Sequence, residues 1–189
     1  MAVREIVLVN QGNPVLREKA RKVGKIDESV RRLIDDMVET MREAPGVGLA
    51  APQVGVGLRV IVVEATEDED DPQSGKVYAV INPEIIKASP EMEEGEEDCL
   101  SIPKINGLVD RHVWVVVKGL DPQGREFRIK ARNYVARIFQ HEIDHLDGIL
   151  FTDHITSPDK YWEIGKRPRS LDEGDAAKPT GAAAPVKSV

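Results

Sequence analysis

The segment "NYVARIFQHEIDHLDG", residues 133–148, constrains this chain more than any other. Its apolar residues recur at helical spacing, and Tyr134, Ile138, His141 and His145 fall on one helical face. Gly148 follows the last turn as a stop signal. Two histidines four apart on a helix point the same way, about one turn apart. Both ring nitrogens can then reach one metal ion, and Glu142 stands beside them within reach of a water at that ion. The chain must therefore fold so that this helix is partly buried and opens onto a site.

Upstream, "DESVRRLIDDMVETMREAPG" places Val30, Leu33, Ile34, Met37, Val38 and Met41 at helical spacing. Asp27 is the expected N-cap, and Pro45-Gly46 ends that helix. "REIVLV" at residues 4–9 reads as a short opening strand. "LRVIVVEA" and "KVYAVINPEI" read as two more, with Pro83 closing the second. Between them the acidic residues 66–72 read as part of an exposed hairpin loop. "HVWVVVKGLDPQGREFRIKA" reads as a hairpin around Asp121-Pro122-Gln123-Gly124. "SPDKYWEIGK" suggests a short final helix, with Ser157 as N-cap and Pro158 at its first position. Beyond it the composition turns to small residues, Pro and Gly without periodicity. The expected organisation is one catalytic domain over residues 1–165 and a disordered tail over 166–189. The fold class expected is α+β: mainly antiparallel strands around a late metal-binding helix carrying HExxH, with an N-terminal helix and a short C-terminal helix.

Composition excludes several classes of function. The chain has 189 residues and a net charge of -7, so it is not built to coat nucleic acid or an anionic membrane. No apolar run approaches the ~20 residues of a membrane span. A single cysteine cannot form an internal disulfide, which points to a reducing, cytoplasmic setting.

That cysteine, Cys99, lies in "EMEEGEEDCLSIP", behind six carboxylates. Negative charge around a thiol disfavours the thiolate, so a cysteine nucleophile is poorly placed there. A metal ion reverses that logic and deprotonates a coordinating thiol outright. A catalytic metal usually keeps three protein ligands, and Cys99 can supply a third. On its own a lone cysteine reads first as a small buried apolar residue. His112 reads as a strand-edge residue, and His154 as at best a neighbour of the site. The loop "GVGLAAPQVG", residues 46–55, is apolar and glycine-rich, and its Gln53 offers a neutral hydrogen-bond donor of the kind an oxyanion needs. It has no lysine and no phosphate-loop spacing.

Together these three pieces resemble peptide deformylase. That family carries a GxGLAAxQ loop, an EGCLS segment and a QHExDHLxG helix in this order. Here they stand as Gly46-Val-Gly-Leu-Ala-Ala-Pro-Gln53, Glu97-Asp-Cys-Leu-Ser101 and Gln140-His-Glu-Ile-Asp-His-Leu-Asp-Gly148. The resemblance spans about residues 4–160. It implies Cys99, His141 and His145 as metal ligands and Glu142 as general acid and base. It implies Gln53 and the Leu100 amide as oxyanion donors. It implies a substrate-binding surface at Gly46, Val47, Gly48, Asp98, Arg111 and Ile138, with Val47 and Ile138 near a methionine side chain. The implied metal is Fe2+, with Zn2+, Ni2+ or Co2+ able to substitute. The implied substrate is the formylmethionyl end of a nascent peptide, met at the ribosome. Lys166, Arg167 and Arg169 form a local basic spot on an acidic chain, which reads first as a solvated tail and second as a weak, salt-sensitive ribosome contact. Asp98 departs from the pattern, since the family has glycine there. It is expected to face solvent or the distal peptide without coordinating metal. An HExxH zinc peptidase would leave Cys99 and the glycine loop unexplained. A family member that has lost activity is the other alternative, and Asp98 is the reason to consider it.

Overall fold

The computed structural model describes residues 2–65 and 72–167. The first helix, α1, runs Glu28–Glu43, and Asp27 caps it by accepting from the Ser29 and Val30 amides at 3.0 and 3.2 Å. It is followed by β1 (Gly48–Ala50), β2 (Val60–Glu64), β3 (Val77–Ala88), β4 (Met92–Cys99), β5 (Ile102–His112), β6 (Trp114–Leu120) and β7 (Glu126–Arg132). Helix α2 spans Asn133–Leu146, and a last strand, β8, covers Tyr161–Glu163. The strands make two antiparallel sheets, one in the order β1-β2-β3-β6-β7 and one in the order β4-β5-β8. The expected α+β class with antiparallel strands is what forms.

The larger sheet lies between the two helices, and β2 shows why. Val60 and Val62 pack with Leu33, Met37 and Met41 of α1, while Ile61 and Val63 pack with Val135, Phe139 and Ile143 of α2. A strand covered on both faces reads as a continuous apolar run, as "VIVV" does. Helix α2 is buried along most of its length, from Val135 to Leu146. Gly148 then turns the chain with φ +74°, where a Cβ would collide with the Arg17 backbone.

Three expectations differ, and one segment given no element from the sequence, the acidic stretch before Cys99, forms a strand. "REIVLV" is not a strand: its amides bond in turn to Thr40 Oγ, Gln53 O and Ser101 O, three separate places with no shared ladder. Pro83 does not close β3. It sits at a register shift between Ile81 and Glu84, where its missing N–H costs no ladder bond, and the strand continues to Ala88. The acidic segment reads as β4, although its sequence shows no apolar alternation. Its inward positions are Gly95, Glu97 and Cys99. The final helix is only a 3-10 turn, Pro158–Lys160, and the following Tyr161-Trp162-Glu163 pairs with Ile105–Gly107 of β5 instead. An aromatic pair beside an open sheet edge gains more from the ladder than from one more helical turn. The hairpin at 121–124 forms as expected, with Asp121 accepting from the Gln123 and Arg125 amides. The acidic residues 66–71 and the tail from Pro168 lie outside the described residues.

Met37 is fully buried between α1 and the sheet, whereas Asp27 acts only at the helix end. Met37→Ala is expected to lose about 2–5 kcal/mol and Asp27→Ala about 1 kcal/mol in urea unfolding.

Candidate metal centre

The three motifs meet at one end of α2. Cys99, at the end of β4, and His141 and His145, on α2, each offer a ligand atom, and these lie within 4.8 Å of one another. The Sγ of Cys99 is 3.3 Å from Nε2 of His145. The rings of His141 and His145 stand with centroids 5.0 Å apart, as the four-residue spacing dictates. A thiolate and two imidazoles are a donor set for a transition metal.

The glycine loop closes over this cluster. Gly48 lies so near the Glu142 carboxylate that a Cβ would collide with it, and a Cβ on Gly46 would be 2.8 Å from Leu100 Cδ1. Two glycines thus let the loop approach both other motifs. Gln53 is 1% exposed. Its Oε1 accepts from the Ala50 amide at 2.8 Å, which leaves Nε2 to point at Ser101 Oγ, 3.3 Å away, and Cys99 Sγ, 3.6 Å away. Val47 packs with Ile138 in the α2 cluster, and Leu100 packs with the α1 cluster.

Glu97 stands at the centre of the charges. Its carboxylate accepts from His141 Nδ1 at 2.9 Å, from Arg111 Nε and Nη2 at 2.9 and 3.1 Å, and from Arg137 Nη1 at 3.0 Å. Burial alone would raise its pKa, but the hydrogen bonds from His141 and Arg111 outweigh it and hold the carboxyl far below its usual range. The bond at Nδ1 fixes His141 so that Nε2 faces the cluster. Burial lowers His141 as well, yet its contacts with Cys99 and Glu97 raise it well above the usual histidine value. A cation binding at Nε2 takes the place of that proton. His145 is pushed well down by burial and by the charge of His141, so it stays neutral with a lone pair free for a metal. Glu142 is lifted to about 7 by burial. Its Oε2 and the Nδ1 of His145 are buried and find no hydrogen-bond partner among the described residues. A buried carboxylate oxygen with no protein partner, beside three converging ligand atoms, fits a metal ion and its water.

Arg111, expected near the peptide, packs beneath the ligand cluster. It is 5% exposed, and its guanidinium is turned inward to Glu97 and, at 2.6 Å, to Asp144. The geometry makes it a support for Glu97. Asp98 is exposed and lies in extended β4 outside the ligand cluster, with no positive φ, so an aspartate replaces glycine there without backbone strain. His112 bonds Ser89 O at 2.6 Å, away from the ligands. His154 reaches Asp144 at 2.7 Å and so ends the same polar chain. Glu97, Arg137 and Asp144 had no role assigned from the sequence. Glu97 was hidden among its acidic neighbours, and the two-residue step Gly95, Glu97, Cys99 was the signal that could have singled it out. Of the basic spot, Lys166 pairs with Glu163, Arg167 lies 3.7 Å from Glu96 and over the Trp162 ring, and Arg169 is outside the described residues.

Known proteins are similar to this chain in sequence and in fold. The sequence model of the polypeptide deformylase family matches residues 3–161. A peptide deformylase of Symbiobacterium thermophilum is 55% identical over 83% of this chain and 69% of its own length. The crystal structure of peptide deformylase from Thermotoga maritima superposes with a TM-score of 0.75 at 40% identity, covering 83% of this chain and all of that one. A structure of the Acinetobacter baumannii enzyme with Met-Ala-Ser bound matches with a TM-score of 0.75 at 38% identity over 82% of this chain and 99% of that one. With a family match over most of the chain and the three motifs gathered around one candidate metal centre, this protein belongs to the polypeptide deformylase family of metal-dependent hydrolases.

Proposed function

We propose that Cys99, His141 and His145 hold one divalent cation and that the site hydrolyses the N-formyl group of formylmethionyl peptides, releasing formate. The observation that carries this reading is the convergence of three ligand atoms within 4.8 Å beside the open oxygen of Glu142. The cation, when bound, supplies Lewis acidity toward water and the formyl oxygen. Glu142 takes a proton from the attacking water, and its buried oxygen, open beside the ligand atoms, is placed both to accept and to return that proton. The water oxygen bonds to the formyl carbon, and the carbonyl oxygen becomes anionic. Gln53 Nε2 and the Leu100 amide donate to that oxygen. As the C–N bond breaks, Glu142 gives its proton to the leaving nitrogen, because an amide anion is too basic to depart. The atoms balance: water and the formamide become formate and a free amino terminus.

The peptide lies extended between two open strand edges. Among the described residues β1 pairs with β2 alone and β4 with β5 alone, so each has an outer edge near the ligands. Gly46 and Gly48 let it approach, while Val47 and Ile138 form the apolar wall for the methionine side chain. The Met-Ala-Ser bound by the Acinetobacter baumannii enzyme has the sequence of a deformylated product of this kind. The metal is Fe2+, with Zn2+, Ni2+ or Co2+ as substitutes. Thiolate and imidazole ligands accept all four, so ligand type alone does not choose among them. Residues 1–165 form the catalytic unit. It works in the cytoplasm on nascent chains, with Lys166, Arg167 and Arg169 as a salt-sensitive contact to the ribosome. No described helix is long and apolar enough to cross a membrane.

Glu142→Gln is expected to retain one metal per chain by metal analysis and to lose at least ~100-fold in formate release from a formyl-Met peptide; an active Glu142→Gln protein would refute the assigned proton transfer. Glu97→Gln is expected to weaken cation binding ~10–100-fold in a chelator competition, because His141 loses its anchor. In the metal-free protein Glu97 also sets a pH dependence. Its carboxyl sits below the unfolded value of 4.5, so its stabilisation is complete above that value and drains away as the pH falls below it. Urea unfolding is therefore expected to show wild type well ahead of Glu97→Gln near neutrality, with the gap narrowing in acid.

A further inference from the structure

Strand β4 is an outer strand of its sheet, and its side chains divide into two rows. Gly95, Glu97 and Cys99 face α2: a Cβ on Gly95 would lie 2.6 Å from Arg137 Nη2, Glu97 bonds His141 and Cys99 reaches His145. Glu94 and Glu96 face the opposite way, where Glu94 pairs with Lys160 and Glu96 with Asn106. Asp98 continues this second row at its end nearest the ligands. It is exposed and its side chain forms no hydrogen bond or ion pair with any described residue, whereas the side chains of Glu94, Glu96 and Glu97 are all paired.

We propose that Asp98 is a specificity-determining residue, favouring substrates whose second residue, directly after formylmethionine, carries a positive charge. This rests on the deformylase reading above, with the peptide extended along the β4 edge. A strand added at that edge shares its pleat, so successive side chains alternate between the two faces. The methionine side chain points to α2, toward Val47 and Ile138. The next side chain therefore falls on the face that Asp98 occupies. A lysine or arginine there meets an ionised carboxylate with no cation of its own, and a glutamate meets repulsion. Because Asp98 is at the solvent-exposed rim, the effect is modest and screened by salt.

The test compares kcat/KM for formyl-Met-Lys-Ser, formyl-Met-Ala-Ser and formyl-Met-Glu-Ser on the metal-loaded protein and on Asp98→Asn. Calorimetric binding of the products Met-Lys-Ser and Met-Glu-Ser supplies a readout independent of turnover. The expected order is Lys, Ala, Glu, with a Lys-to-Glu ratio of ~5-fold at low salt that shrinks at high salt. In Asp98→Asn the ratio collapses toward one. Asp98→Gly, which removes the same charge by a different side chain, is expected to do likewise and stands in if the first variant folds poorly. A wild-type ratio near one overturns the proposal. So does an unchanged ratio in both variants, which would assign the preference to the overall charge of -7. Failure to hydrolyse all three peptides, the alanine one included, would instead overturn the deformylase reading.

Discussion

The buried carboxylate of Glu97 is the interaction on which the site depends. One side chain accepts from Arg111, Arg137 and His141, and so ties β4, β5 and α2 together at the place where the ligands must meet. A charge removed from water is costly unless every lone pair is met by a donor, and here cations from two elements and an imidazole meet it. The arrangement makes the acidic strand part of the interior. It also fixes the orientation of a candidate metal ligand through the nitrogen that does not face the cluster.

Around that point the fold works as a clamp of two sheets on one helix. α2 is held on one side by β2 and β6 of the larger sheet, through Ile61, Val63, Val115 and Val117. On the other it is held by the polar contacts of β4 and β5. The glycine loop leads out of α1 into the larger sheet and carries Gln53 to the same spot. Each of the three site segments belongs to a different structural unit. The centre therefore exists only when the two sheets are correctly placed against α2, which couples folding to site formation.

Much of this was legible in the chain. The helical periodicity of residues 30–41 and 134–146 locates both helices, because a helix must bury a stripe at 3.6-residue spacing. The hairpin at Asp121–Gly124 follows from turn chemistry that acts within a few residues. The pattern of HEIDH needs only helix geometry to bring two histidines together. Other segments misled because their outcome depended on distant partners. "REIVLV" has strand composition, yet no sheet edge is offered to it, and its backbone bonds are scattered over α1, the glycine loop and the β4–β5 turn. Tyr161-Trp162-Glu163 became a strand because β5 left an edge open beside it.

The sequence by itself determined the two helices, the ligand types, and the order of three motifs that a deformylase needs. These are local properties, set by side-chain spacing and by backbone preferences within a turn or two. Only the tertiary structure decided which of six neighbouring carboxylates would enter the core, that Arg111 would turn inward to support Glu97, and that Asp98 would be left unpaired at the rim of the site. Those outcomes rest on the pleat of β4 and on cations contributed by β5 and α2. A two-residue alternation written entirely in charged residues carries no hydrophobic mark of which face is inside, so the partners across the sheet had to settle it.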